Sequence, residues 1–394
     1  MNRRLVLESV LSKRACTRPE LSSSLNLSKT TIKQICDDLI GEGILREGEE
    51  IPSQRQGRPA AAILPDTDYA SLLAIDIGAD KLIVRLADFS GATLHEIQKK
   101  ISAPSSNRPT RELVLRTLNG ALDELLAQSD PLPAPIRTVV AGAPGIVNSR
   151  TNTIDFAPQI ANWEGIDLKR EIAGMLPVHE SNIDVERQAD LFAIAESRGG
   201  VAANAASALC IELGIGIGGS IIIDNKIYHG ANAAAGEIGY LPISFGEVIP
   251  RSSGIGMWEW ACGGGAFARH GRDIAATNAG NAILQAAGGD IMNVDAKAVF
   301  LAAAEHDTTA LNLIDELGQR ISTGIAAAIC ILNPEIVVIG GGISRAGDLL
   351  LDTLNRHIAD MVPYPPLIRL SQYGEKASLE GAVFKAQENI IQSI

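Results

Sequence analysis

The spacing of apolar residues along this chain changes character at about residue 69. Over "NRRLVLESVLSK", Leu5, Val6, Val10 and Leu11 share one face of a 3.6-residue repeat, which predicts an amphipathic helix from Asn2 to Lys13. The stretch "TRPE" predicts a second helix. Thr17 can cap it, Pro19 is tolerated in its first turn, and Glu20 completes a capping box. That helix is expected to end near Leu25. After a tight "NL" turn Ser28 can cap a third helix, with Leu27 and Ile32 placed as a hydrophobic staple. Ile32, Ile35, Cys36, Leu39 and Ile40 form its stripe, and "GEG" from Gly41 to Gly43 stops it. A strand-like "ILREGE" and the segment "PSQRQGRPAAAIL" follow and read as a β-wing.

From Tyr69 short apolar strands alternate with helices. "SLLAIDIGADKLIVRLADFSG" predicts a strand, a turn with Asp76 and Gly78, and a second strand. "TVVAGAPGIVN" is a strand ending in a Gly/Pro loop, Gly142 to Gly145. "IDVERQADLFAIAE" reads as a strand end, a turn at Arg187 and Gln188, and a helix. "ALCIELGIGIGGSIIIDNKIY" is a hairpin with Gly214, Gly216, Gly218 and Gly219 assigned to its turn. "NPEIVVIGGGISRAG" is a buried strand from Ile336 to Ile339 running into a triple glycine and a helix. Glycine-rich turns at strand ends let backbone amides approach an anion, and an Asp-Gly turn can face Mg²⁺ and phosphate. Three such turns in an alternating β/α chain predict two lobes closing around a cleft.

Composition alters this picture little, and charge alters it more. The chain has 394 residues, enough for two or three compact units. No apolar run approaches the ~20 residues that span a bilayer, and the N-terminus lacks the continuous apolar core of a signal peptide. The five cysteines are scattered with no metal-knuckle or redox spacing, so reduced thiols and a cytoplasmic location are expected. Net charge is −12, which argues against a protein that coats nucleic acid along its whole surface. Residues 1–60 hold ten Lys and Arg against eight Asp and Glu, a net of +2, leaving 24 against 38, or −14, for the rest. A slightly basic head on an acidic body suits a head that meets DNA.

Ser28, Lys29, Thr30, Thr31, Lys33 and Gln34 fall on or near the exposed first turns of the third predicted helix. Their donors have the reach for base edges and phosphates, at the end that enters the major groove in a helix-turn-helix. Arg55 and Arg58 lie on the wing, suited to phosphates or the minor groove. The competing reading is a three-helix packing module with a solvated polar face.

The body resembles the ROK family (repressors, open reading frames and kinases) through "AIDIGADK", "GAPGIVN", "APQIANWEG", "VERQADLFAIAE", "GIGIGGSIIIDNKIYHGANAAAGEIGY" and "NPEIVVIGGGIS". The head, ending in "QGRP", resembles the winged helix-turn-helix of the family's repressor members. The resemblance implies an α/β chain in which a winged helix-turn-helix (residues 1–65) precedes a two-lobed, actin-like and hexokinase-like fold. The lobes would span 70–185 and 186–379, with a C-terminal helix, 380–394, packing back on the first.

The chain departs from the family's kinases where their chemistry resides. Their pattern resembles "ENDxN", and its Asp is implied to be the general base; here that position is Gln188, an amide without useful basicity near pH 7. The phosphate loop that resembles "GTG" reads Gly214, Ile215, Gly216. The family's structural zinc site resembles "GEIGH" followed by "CxCGxxGCxE". Tyr240 stands at the His, and Pro250, Ser252 and Met257 at three Cys, so no metal and no cofactor are expected. Met257, Trp258 and Trp260 would hold this loop by packing instead. Glu237 and Glu259 remain where the family contacts sugar hydroxyls, and Gly145, Asn162 and Trp163 keep the other wall. Arg187 either pairs with an anionic effector or bridges to Glu237 or Glu259 and fills the site.

The expected function is a DNA-binding transcriptional regulator, a repressor in carbohydrate metabolism. Its partners would be a double-stranded operator, a sugar or sugar-derivative effector and a second copy of the chain, as dimer or tetramer, without catalysis or membrane attachment. An active sugar kinase with a regulatory head and a protein–protein regulator without effector remain as alternatives.

Overall fold

The computed structural model describes residues 1–13, 16–51, 60–101, 108–148, 151, 153–246, 248–249 and 254–394. The chain divides into two units, Met1–Arg187 together with Ala382–Ile394, and Gln188–Gly381. Among the described residues no helix is long and apolar enough to cross a membrane.

The first unit begins with α1 (Asn2–Lys13), the two-residue strand β1 (Cys16–Thr17), α2 (Arg18–Leu25), α3 (Lys29–Gly41), β2 (Leu45–Ile51) and β3 (Ala60–Pro65). The three strands form one sheet in the order β1-β3-β2. Both expected caps are made. Thr17 accepts from the Glu20 amide while the Glu20 carboxylate accepts from the Thr17 amide, and Ser28 accepts from the Thr31 amide. Asn26 closes α2 in the left-handed conformation that its short side chain tolerates. On α1 the buried set is Val6, Leu7, Val10 and Leu11, whereas Leu5 is exposed. The helix is rotated from its expected face because Leu7, not Leu5, meets the packed interior. Arg18 ties the three pieces together, donating to Asp37 on α3 and Glu47 on β2.

The remainder of this unit is a five-stranded sheet built from β4 (Ser71–Ile77), β5 (Lys81–Asp88), β6 (Thr93–Lys100), β7 (Ile136–Ala143) and β10 (Ile183–Arg187). Between them run α4 (Arg111–Gln128), the small pair β8 (Ile146–Asn148) and β9 (Thr153–Phe156), and α5 (Leu168–Ala173). The sheet order is β10-β7-β4-β5-β6, antiparallel from β4 to β6 and parallel across β4, β7 and β10. Every residue of β4 is buried, as expected for a strand covered on both faces.

The second unit repeats this order. It contains α6 (Gln188–Arg198), β11 (Ala208–Leu213), β12 (Ile217–Ile223), β13 (Lys226–Ile227), α7 (Met257–Cys262), α8 (Gly264–Ala275), α9 (Asn281–Ala286), α10 (Ala296–Ala304), α11 (Thr308–Leu332), β14 (Ile336–Gly340), α12 (Asp348–Ala359) and β15 (Leu367–Leu370). The sheet runs β13-β12-β11-β14-β15, antiparallel from β11 to β13 and parallel from β11 to β15. Two expectations need correction. Gly218 and Gly219 lie inside β12 rather than in its turn, and a Cβ on Gly219 would stand 2.8 Å from the Gly236 carbonyl, so the glycine admits a crossing loop. Arg187 and Gln188 form no turn either, since β10 ends at Arg187 and α6 begins at Gln188.

The final helix, α13 (Ala377–Ser393), starts in the second unit and continues through residues of the first. Its second-unit part holds Gly381, where a Cβ would be 1.8 Å from the Leu191 carbonyl oxygen of α6. Its first-unit part donates from Gln387 to the Phe89 carbonyl and from Asn389 to Asp184, and the Gln392 carbonyl accepts from Arg4 of α1.

Candidate functional site

The six predicted contact residues of α3 do not present equivalent chemistry. Lys29, Thr30 and Lys33 are exposed, and no hydrogen bond or ion pair among the described residues engages their side chains. Ser28 and Thr31 are 2.8 Å apart through their hydroxyls, and Gln34 donates to Asp38 one turn on. Three of the six donors are therefore already used by the helix itself. Arg55 and Arg58 lie outside the described residues. The thiols of Cys16 and Cys36 are buried in this region, and burial pushes Cys16 up to about 11, away from thiolate chemistry at neutral pH.

Of the predicted ligand residues, the first unit holds Gly145, Asn162 and Arg187. Gly145 has φ 95°, and a Cβ there would sit 2.1 Å from the Phe156 carbonyl, so only glycine fits that turn. Asn162 is exposed with φ 58°, beside Trp163, which is wholly buried. Arg187 ends β10 and is 4% exposed.

The second unit brings Glu237, Tyr240 and Glu259 together and places Gln188 at the start of α6. Glu259 sits on α7, and its carboxylate accepts from the Ile217 amide at 3.1 Å. The same carboxylate lies 2.9 Å from where a Gly216 Cβ would project, so the bare backbone of that turn makes room for it. Burial raises the Glu259 pKa; the Ile217 amide opposes the rise and the Glu237 charge adds to it. The Tyr240 pKa is also raised, by burial and then by the charges of Glu259 and Glu237, so the phenol keeps its proton. These directions describe one electronegative cluster.

Tyr240 uses that proton. Its hydroxyl donates to the Gly254 carbonyl at 2.5 Å. A protonated phenol committed as a donor, with Met257 in place of a thiolate, does not fit a zinc ion. Among the described residues no group of three His, Cys, Asp or Glu side chains could hold a metal. Pro250 and Ser252 lie outside the described residues. Trp258 is wholly buried against Gly324, where a Cβ would come within 2.0 Å of its ring, and its indole donates to the Arg320 carbonyl. Arg269 stacks on Trp260 at 3.8 Å from the ring centroid. Met257, by contrast, is 36% exposed.

Two sets of contacts lie beyond what sequence spacing encodes, the partners of Asp190 and the amides that cap the Gly214–Gly216 loop. Asp190, in the first turn of α6, is buried, accepts from the Ser220 hydroxyl at 2.7 Å and lies 3.4 Å from His229 Nδ1. The only sequence signal was a lone hydroxyl in "GGSIII". The loop after β11 also differs from a phosphate cradle. Ile215 is 72% exposed at its tip, and the first amides of α8, Gly264 and Gly265, donate to the Gly214 and Ile215 carbonyls. That helix N-terminus is spent on the loop rather than offered to an anion.

Comparison with known proteins adds four findings. The model of the ROK family matches residues 72–389. A xylose repressor of Caldicellulosiruptor bescii is 26% identical over 360 residues, covering 91% of this chain and 87% of the repressor. A glucokinase of Streptomyces coelicolor is 28% identical over 330 residues, covering 80% of this chain and 97% of the kinase. Among solved structures, a ROK family transcriptional regulator described as a homologue of the E. coli MLC protein superposes with TM-score 0.75 at 20% identity. That superposition covers 99% of this chain and 96% of the regulator.

Proposed function

We propose, from the premise that this chain belongs to the ROK family, that it is a DNA-binding transcriptional repressor whose kinase-like body senses a sugar. The observation that carries the reading is the extent of the likenesses. The glucokinase leaves about a fifth of the chain uncovered, while the xylose repressor reaches 91% and the regulator fold 99% of it. An uncovered fifth is comparable in length to residues 1–71, which precede the family match; they hold three helices and a small sheet, which we read as a winged helix-turn-helix with α3 as the recognition helix. Lys29, Thr30 and Lys33 would then meet the operator, with Arg55 and Arg58 on the wing. A second copy would supply the other half-site.

The body is read as a non-catalytic sensor. Gln188 would stand where the reaction needs a base, and loss of a general base costs about 10²–10⁴ in rate. The carbonyl-capped loop around Ile215 also offers little to a triphosphate. The effector would meet Glu237 and Glu259, and a hundredfold change in operator affinity requires about 2.7 kcal/mol of preference for one state. The glucokinase relatives, at similar identity, favour a second reading as an active kinase.

One experiment separates the two readings. The full chain should footprint a two-fold related site near its own gene and release it with D-xylose or D-glucose. Lys29→Ala and Lys33→Ala should each weaken binding about tenfold, the loss of one charged contact. Turnover of ATP with either sugar near the ~1–100 s⁻¹ of ordinary kinases would overturn the non-catalytic reading.

A further inference from the structure

Two contacts join the residues around Tyr240 to those from Gly254 to Gly256. The first is the bond from its hydroxyl to the Gly254 carbonyl. The second is the approach of Gly256 to Gly239, so tight that a Cβ on Gly256 would stand 2.1 Å from the Gly239 carbonyl oxygen. Residues 239–240 and 254–256 thus form two feet, joined by that hydrogen bond and that glycine–glycine contact among others. Each foot leads directly to a carboxylate. Glu237 lies three residues before the bonding phenol, and Glu259 lies three residues after Gly256, on α7. The charges of both carboxylates act on the phenol. Farther along, α7 is held independently, by Trp258 in the Gly324 notch and by the Arg320 guanidinium donating to the Ala261 carbonyl.

We propose that Tyr240 is a positioning residue for the Glu237 and Glu259 site: its hydroxyl latches the two feet and so fixes the spacing at which the two carboxylates meet a hydroxyl-bearing ligand, without a metal. This rests on the effector reading above. A metal site would hold these feet by several strong bonds at once, whereas a phenol–carbonyl bond opens and closes locally. Ligand occupancy and the making of the Tyr240–Gly254 bond then become one coupled equilibrium. Tyr240→Phe is the informative variant, because it keeps the ring and removes only the donor.

The test uses the full chain as wild type, Tyr240→Phe, Glu237→Gln and the double variant, with D-xylose and D-glucose as probes. Amides of residues 254–256 should exchange with deuterium about fivefold faster in Tyr240→Phe, while those of α11 stay unchanged. The Kd of the bound sugar should rise by a similar factor at unchanged Tm. The double variant should lose less than the product of the two single losses, which a merely structural bond would not produce. EDTA should leave exchange in the wild type unaltered. Equal exchange in wild type and Tyr240→Phe, or acceleration of wild-type exchange by EDTA, would overturn the latch. Faster exchange with unchanged sugar affinity would overturn the positioning role. Failure of the wild type to bind either sugar would instead count against the effector reading, and the exchange comparison would still decide the latch.

Discussion

Glu259 sits in surroundings that oppose its charge. Burial raises its pKa, with Glu237 adding and the Ile217 amide subtracting. A carboxyl with a raised native pKa binds more protons folded than unfolded in the window between its two values. Stability then falls as pH rises through that window, and the favourable contribution is fully present only below it. Glu259→Gln, which keeps an acceptor for Ile217, should flatten this decline and raise Tm at pH 7 while losing sugar affinity. Calorimetry from pH 4 to 8 checks it; a decline as steep as that of the wild type would contradict it. At this scale the sequence was legible where chemistry is local. The Thr17 and Ser28 caps are formed between residues three apart. Tyr240 with Gly254, and Asp190 with Ser220 and His229, join residues 14 to 39 positions apart through folding that no spacing rule encodes.

Among the elements, two helical glycines of opposite surroundings give a matched prediction. Gly120 lies inside α4 with nothing within 4 Å of its missing Cβ. Gly120→Ala should stabilise the chain by about 0.5–1 kcal/mol through reduced unfolded-state freedom and better helix propensity. On Gly381 of α13 an added Cβ would stand 1.8 Å from the Leu191 carbonyl oxygen, so Gly381→Ala should cost about 1–3 kcal/mol as overpacking. Thermal unfolding of both variants decides the pair, and a neutral Gly381→Ala would mean that α13 shifts freely over α6. Element types were largely readable, because β4, β7 and β14 are short, mostly apolar runs that lead into glycine-bearing turns, while α3 carries a 3.6-residue stripe. Misplacements occurred where packing rather than pattern chose. The α1 face buries Leu7 in place of Leu5, and Gly218 and Gly219 belong to a strand rather than a turn, the loop that Gly219 admits coming from residue 236.

Over the whole molecule, charge is divided as sharply as structure. Residues 1–60 are net +2 and the rest net −14. An operator held by phosphate contacts should therefore lose affinity steeply with salt, by about 10³ between 50 and 200 mM for six contacts. The acidic body alone, residues 70–394, should bind no DNA; a specific footprint by it, or a flat salt dependence, would contradict the assignment of the head. The two-unit α/β architecture was legible because strand and helix periods alternate through the body. That both sheets share one order became visible only from register.

The path of α13 also has a consequence in time. The first unit contains residues 382–394, which follow 194 residues of the second unit, 188–381, in the chain. At ribosomal speeds of about 5–20 residues per second, that interval lasts about 10–40 s. Throughout it the first unit lacks its own closing helix, and α1 lacks the Gln392 carbonyl that receives Arg4. A ribosome that stalls within the second unit thus leaves a head whose anchor has not yet been made. Only polypeptides carried past residue 392 can present it docked.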